Sequence, residues 1–349
     1  MTTETIRRYV DFTRPFTLLP PLLGVISGAI CAWGSYWNPD PTRAVTFAVV
    51  FNVVLGSACA ALLNAASNVI NQYYDLSIDR VNKPERMLPS GKISMRAAWN
   101  YSIVLYLAAV LPTWLVVIYP AHSLAERLTV PDGVRASLAG AGGWLGALTL
   151  WHAVFVIYVL GMIFTFVYSA PGLGRTKSHA IGANVTIAIP RGMLLKVAGW
   201  SMIGPVWALE AWYIGAVFAL FLVGAASTKD FSDMKGDAAG GCYTLPIRYG
   251  VKRAAYMMAP SFILPWLLIP LGTMLPDPFD PAGHHAILTG NRWALDALGL
   301  LLTSWGIYTV WLILRDPEAL ATTENHPSWT HMYLMMMTAQ VGFALAYLV

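Results

Sequence analysis

Asn64, Asn68, Asn71, Asp75 and Asp79 recur at intervals of three or four residues in an otherwise largely apolar stretch. On a helix turning about 100° per residue, the five side chains fall within an arc of roughly 80°. Amide and carboxylate oxygens stacked at successive turns form a ladder suited to a hard cation. A second group, Asp230, Asp233 and Asp237, lies in Lys229-Asp-Phe-Ser-Asp-Met-Lys-Gly-Asp237 and spans about 60° on the same reckoning. Like charges gathered in this way raise one another's pKa unless a cation or basic group compensates. Neither group contains His or Cys, so the donor set is all oxygen and selects Mg²⁺ or Ca²⁺ over zinc or copper. Mg²⁺ keeps part of its water and is commonly held by one or two carboxylates plus substrate phosphates. Two facing clusters therefore suggest metal ions that bridge protein and a diphosphate. The expected ligands are Asn71, Asp75, Asp79, Asp230, Asp233 and Asp237, with Asp75, Asp79, Asp233 and Asp237 at the centre of the chemistry. Lys83 and Arg86 follow the first cluster, and Lys229 and Lys235 flank the second, placed to neutralise phosphate oxygens. The competing account is a polar face wetted by lipid headgroups, but amides deep in a span are costly without a role.

The elements that must position these residues are set by composition. In 349 residues, only 11% are charged and 57% are hydrophobic, and the mean hydropathy is +0.57. That is too few charges to coat a soluble protein of this size and too apolar for a disordered chain. The expectation is an all-α, multi-pass integral membrane bundle forming one domain over residues 1–349. With about 20 apolar residues needed per crossing, nine spans are expected, near 17–36, 45–70, 97–119, 148–169, 180–202, 206–226, 254–275, 297–314 and 329–349. Pro260, Pro265 and Pro270 should kink the seventh. Sixteen of the 22 basic residues fall on the side holding the amino terminus and both acidic clusters. By the positive-inside rule that side is cytoplasmic, as expected for a cell inner membrane. The net charge of +4 thus follows topology and implies no nucleic-acid partner. The polar first 14 residues suggest no cleavable signal peptide. Cys31, Cys59 and Cys242 have no metal or redox spacing and read as packing residues. The long external insert 121–147 is expected to carry a short interfacial helix. No histidine has a spacing that demands a metal.

The sequence then becomes familiar. Asn71-Gln-Tyr-Tyr-Asp75-Leu-Ser-Ile-Asp79, followed by Arg86-Met-Leu-Pro-Ser-Gly91, resembles the first aspartate-rich motif of the UbiA superfamily of intramembrane prenyltransferases. Asp230 to Asp237, with Thr244-Leu-Pro246 downstream, resembles the second. Tyr168-Ser-Ala-Pro171 is similar to a third family element that leads to a basic residue, here Arg175 or Lys177, and Arg14-Pro15 is also family-like. The resemblance implies a helical bundle around a central cavity, with both motifs across its cytoplasmic mouth. It also implies Mg²⁺ as cofactor, a prenyl diphosphate donor, membrane lipids as surroundings and a lipophilic or aromatic acceptor. Asn68, Lys83, Arg86, Tyr168, Lys177, Arg191 and Lys229 are the expected substrate-binding residues.

An arginine inside a span is a functional hypothesis by default, and Arg191-Gly-Met-Leu-Leu195 resembles the homogentisate prenyltransferase branch. Arg191 is expected to hold an acceptor or phosphate oxygen; pairing with Glu210 or a backbone carbonyl is the plainer alternative. The leading expectation is transfer of a polyprenyl group to an aromatic or quinol-type acceptor. A tetrapyrrole, glycerol-lipid or carotenoid acceptor, cyclisation of the prenyl chain, or an ion pathway stand as alternatives.

Overall fold

The computed structural model describes residues 2–118, 123–129, 143–280, 283–323 and 326–349. The described residues are helical or irregular, with two isolated β-bridges. The long helices are α1 (Leu19–Gly34), α2 (Phe47–Tyr74), α3 (Met95–Val110), α4 (Ala153–Ser169), α5 (Ala180–Trp200), α6 (Leu209–Ala225), α7 (Val251–Met274), α8 (Arg292–Leu314) and α9 (Pro327–Ala346). All nine expected spans are present as helices. Seven are long and apolar enough to cross a membrane, three of them together with a flanking 3₁₀ turn (Pro15–Gly34, Met95–Leu115 and Leu209–Lys229); α4, at 17 residues, and α9 fall outside that group.

Side-chain caps begin several helices by accepting an orphan backbone N–H. The Thr46 hydroxyl serves α2, Ser94 serves α3 and Asn291 serves α8. Prolines interrupt α7 where the sequence requires it: a 3₁₀ turn at Ala259–Phe262 contains Pro260, helix resumes at Leu264, and Pro270 sits inside it. In α5 the six residues Ile189–Leu194 form a π-helical segment containing Pro190 and Arg191.

Lipid is as apolar as a leucine side chain, so the helices associate by close packing of small residues rather than by the hydrophobic effect. The α1–α5 pair shows this directly. A Cβ at Gly28 would lie 2.5 Å from the Lys196 carbonyl, and one at Gly199 would lie 2.1 Å from that of Val25. Farther round the bundle, Phe218, Phe221, Phe262, Trp266 and Phe343 form a buried aromatic cluster with centroids 4.8–6.1 Å apart. At one end of the bundle, part of insert 121–147 lies outside the described residues. Its helix Leu124–Leu128 is anchored inward and is not simply interfacial. Arg127, only 6% exposed, donates to Asn52 Oδ1 at 2.6 Å and to the Leu115 carbonyl at 2.9 Å.

At the opposite end the chain brings the two acidic segments together. Helix α2 breaks at Asp75 (φ −97°, ψ 14°) and a two-turn helix, Leu76–Asn82, follows. After α6, a 3₁₀ turn at Ala226–Lys229 leads to another short helix, Met234–Ala239. These two short helices dock on each other. Asn82 Nδ2 donates to the Asp233 carbonyl at 3.1 Å, and Asn82 Oδ1 accepts from Gly236 N at 3.0 Å. A Cβ at Gly236 would sit 2.4 Å from the Asn82 amide, and one at Gly240 would sit 2.2 Å from Ile78.

Two outcomes follow from this packing. Gly199→Leu should force α1 and α5 apart and cost about 3 kcal/mol or more, read as a lower melting temperature in detergent. Gly24→Ala, whose Cβ meets nothing closer than 3.5 Å, should leave it unchanged. Asn82→Ala removes both cross-links and should cost about 1–3 kcal/mol, with faster amide hydrogen exchange confined mainly to 76–82 and 234–239.

Candidate active site

Within the first motif, the break at Asp75 divides the ladder of oxygens. Below it, Asn64 and Asn68 turn their amides toward the start of α1. Asn64 Nδ2 donates to the Thr17 carbonyl at 2.9 Å; Asn68 Nδ2 donates to the Thr13 carbonyl and the Thr17 hydroxyl, each at 2.8 Å. Asn68 is buried, with its amide engaged in bracing the chain around Arg14. Asn71 Oδ1 accepts from the Ser169 hydroxyl at 3.3 Å.

Above the break, Asp75 and Asp79 are 5% and 3% exposed and are held by basic residues from two loops. Lys177 Nζ donates to Asp75 Oδ2, and Arg175 Nη2 lies 3.5 Å from Asp75 Oδ1. Arg86 Nη1 pairs with Asp79 Oδ1, while Asp79 Oδ2 is buried with no hydrogen-bond partner among the described residues. In the second motif, Lys229 Nζ lies 3.6 Å from Asp233 Oδ1. Asp237 is fixed at its backbone, where its carbonyl accepts from Cys242 N at 2.8 Å.

The two groups share one electrostatic environment. Partial burial, opposed by Lys177 and reinforced by Asp233, Asp75 and Asp79, raises Asp237 to about 6. Burial, then Asp237 and Asp233, raise Asp230 well above the ordinary carboxylate range. Carboxylates from positions 75 and 79 therefore act on one at 237 across the docked helices. Tyr168 shares this environment: its ring is 6.0 Å from Lys177 Nζ, and its hydroxyl is within electrostatic reach of Asp230, Asp75, Arg191 and Asp237.

Two arginines complete the ring. Arg191 is exposed within the π-helical segment of α5 and has no ion pair among the described residues. Its alternative partner, Glu210, is buried elsewhere, accepting from Thr289 N at 2.5 Å and from the Tyr347 hydroxyl. Arg14 was not singled out as a site residue, yet burial and the neighbouring Arg86 lower its guanidinium to about 10 while Asp79 and Asp75 act in the opposite sense. Its Nη2 is buried without a partner. Arg14 and Arg175 hold left-handed backbone conformations (φ 56° and 41°), a strain that concentrates at functional sites. The signal for Arg14 was available: a basic residue beside Pro15, immediately before an apolar run. Asn82 was likewise legible only as one polar residue among several in its loop.

The donor set fits a hard cation. It is all oxygen, and Asp79 Oδ2 is a buried carboxylate oxygen with no other partner. Among the described residues, no three acidic, His or Cys side chains converge on a single point. Asp75, Asp79 and Asp233 each face a basic partner instead, so the six expected ligands do not form a closed protein cage. An open arrangement is what Mg²⁺ uses when substrate phosphates complete its shell. Lys83 lies in the loop between Asp79 and Arg86, and Lys235 is exposed on the second short helix.

The chain matches the UbiA prenyltransferase family over residues 18–125 and 128–325. It is 28% identical to the digeranylgeranylglyceryl phosphate synthase of Methanobrevibacter smithii over 264 residues, 75% of this chain and 76% of that protein. It is also 28% identical to the bacteriochlorophyll synthase 34 kDa chain of Chloroflexus aurantiacus over 338 residues, covering 97% and 90%. A UbiA homologue from Archaeoglobus fulgidus, solved with GPP and Mg²⁺, superposes with a TM-score of 0.60 at 18% identity, covering 96% of this chain and 99% of that one. With both acidic motifs joined at one end of an all-helical membrane bundle, the conclusion is direct: this chain is an integral membrane prenyltransferase of the UbiA family.

Proposed function

We propose that the protein transfers a polyprenyl group from a prenyl diphosphate to a lipophilic acceptor, at a Mg²⁺-dependent site on the cytoplasmic side of the membrane. The observation that carries this reading is the docking of Leu76–Asn82 on Met234–Ala239, which joins two carboxylate groups some 150 residues apart in sequence. The Archaeoglobus homologue's GPP and Mg²⁺ support the same assignment. The basic residues concentrated on this side support its cytoplasmic orientation.

In this reading Asn71, Asp75 and Asp79 on one side, and Asp230, Asp233 and Asp237 on the other, supply oxygens to divalent cations. Bound there, the metal supplies charge neutralisation of the diphosphate as a leaving group. The chain's own cations share that task. Arg86, Lys177 and Lys229 already sit beside these carboxylates, and Arg14 adds a buried guanidinium. Such donors stabilise charge where it develops. The bond from the prenyl C1 to the diphosphate oxygen breaks with both electrons going to oxygen. The acceptor then supplies the pair for the new bond to C1 and loses its proton. The allylic cation requires dry, apolar surroundings that keep water from it.

For the acceptor, the named relatives favour the glycerol-lipid or tetrapyrrole alternatives over an aromatic or quinol-type compound. A panel of these acceptors with one labelled prenyl diphosphate, read by mass, separates them. Asp75→Ala and Asp233→Ala should each lower transfer by about 100-fold or more. Chelation of divalent ions should abolish transfer, and added Mg²⁺ should restore it. Full activity in both variants, or after chelation, would refute this proposal.

A further inference from the structure

Beside the site described, a second cavity of about 440 Å³ opens between the loop after α4 and the loop after the second motif. Its lining is Ser178, His179, Gly241, Tyr243 and Arg248. Each wall is tied to the carboxylate site. Ser178 and His179 directly follow Lys177, whose ammonium holds Asp75. The opposite wall begins at Gly241 and Cys242, and Cys242 N donates to the Asp237 carbonyl. The two walls are joined by Tyr243 N donating to the Ser178 carbonyl at 3.1 Å. Gly241 adopts a left-handed backbone (φ 72°) with nothing within 4 Å of where a Cβ would stand, so that side of the cavity is open.

The chemistry of this lining differs from that of its neighbour. It has a guanidinium, an imidazole, an aliphatic hydroxyl and a phenol, and no carboxylate. Among the described residues, Arg248 makes no ion pair; its guanidinium rests 5.6 Å from the Tyr249 ring. The side chains of Ser178 and His179 have no hydrogen-bond partner there either. A metal-bound diphosphate needs acidic residues on its wall, and this cavity has none. An anion held only by donors does fit, and arginine offers a phosphate a planar two-pronged partner.

From this we infer that the Ser178–His179–Tyr243–Arg248 cavity binds the phosphate headgroup of the acceptor lipid, separate from the donor's diphosphate. The inference rests on the prenyltransferase reading above and extends it. It favours the phosphate-bearing glycerol lipids, whose dianionic headgroup offers these donors more charge and more acceptor oxygens than a tetrapyrrole carboxylate does. One residue step of about 3.8 Å separates Ser178 from Lys177 at the backbone. A headgroup in the cavity would thus be anchored next to the donor site.

The test uses binding as well as turnover, because binding is measurable even where transfer fails. Dodecyl phosphate should raise the melting temperature of the full-length protein in detergent, and dodecanol should not. The same shift should persist in Asp75→Asn, which lacks a complete donor site, and should be lost in Arg248→Ala and in His179→Ala. In turnover, Arg248→Ala should raise KM for a monoalkyl glycerol phosphate about tenfold or more. KM for the prenyl diphosphate should stay unchanged, and Arg248→Lys should recover part of the loss. Inorganic phosphate should compete with this acceptor and not with the donor.

Three results would overturn the assignment. A shift with dodecyl phosphate that survives Arg248→Ala would place the anion elsewhere. A raised donor KM in that variant would make the cavity part of the diphosphate site. Activity that follows the bulk anionic lipid content of nanodiscs in wild type but not in Arg248→Ala would make it a membrane-lipid site. If no acceptor is prenylated although dodecyl phosphate binds as expected, the reaction proposed above fails while this anion site stands.

Discussion

Five carboxylates drawn to one end of a lipid-embedded bundle repel one another in surroundings that screen poorly, and that repulsion governs how the site is built. Burial and neighbouring acids raise both Asp230 and Asp237. The structure offsets the rest with cations borne on separate loops: Arg86 on Asp79, Lys177 and Arg175 on Asp75, and Lys229 on Asp233. Isolated surface ion pairs contribute little. Here, with Asp75 and Asp79 almost wholly buried, loss of a partner would leave a charge stranded, which is far more costly.

That electrostatic demand explains the irregular backbone around the site. Continuous helices would place the acids on two parallel rods with no way to close on them. Instead α2 stops at Asp75, α6 passes through a 3₁₀ turn, and the two short helices that follow meet through Asn82. The π-helical segment in α5 presents Arg191, and left-handed residues at 14 and 175 redirect the chain at two more loops. The regular, small-residue packing of α1 against α5 supplies the rigid frame against which these departures are held.

Much of this was legible in the sequence. Span positions follow from apolar runs, and all nine are helices, because run length and hydropathy are local properties. The acidic residues were equally visible, since charge at a membrane edge is rare. Roles that depend on a break in periodicity were not. A helical wheel continues through Asp75, whereas the backbone does not, so Asn64 and Asn68 share the face but brace Thr13 and Thr17. Asn82 works through the carbonyl of Asp233 and the amide of Gly236, and backbone partners carry no residue-type signature. Arg14 beside Pro15 could be noticed in its own segment, but its nearness to Asp79, Asp75 and Arg86 arises only through tertiary folding.

The Lys177–Asp75 pair has a further consequence for turnover. With the lysine already on the carboxylate, substrate binding would proceed by exchange: Lys177 would move from Asp75 to a phosphate oxygen, leaving the carboxylate to a divalent cation. After prenyl transfer, departure of the inorganic product would return the ammonium to Asp75. The enzyme would thereby reset between cycles without leaving a naked buried anion at any stage.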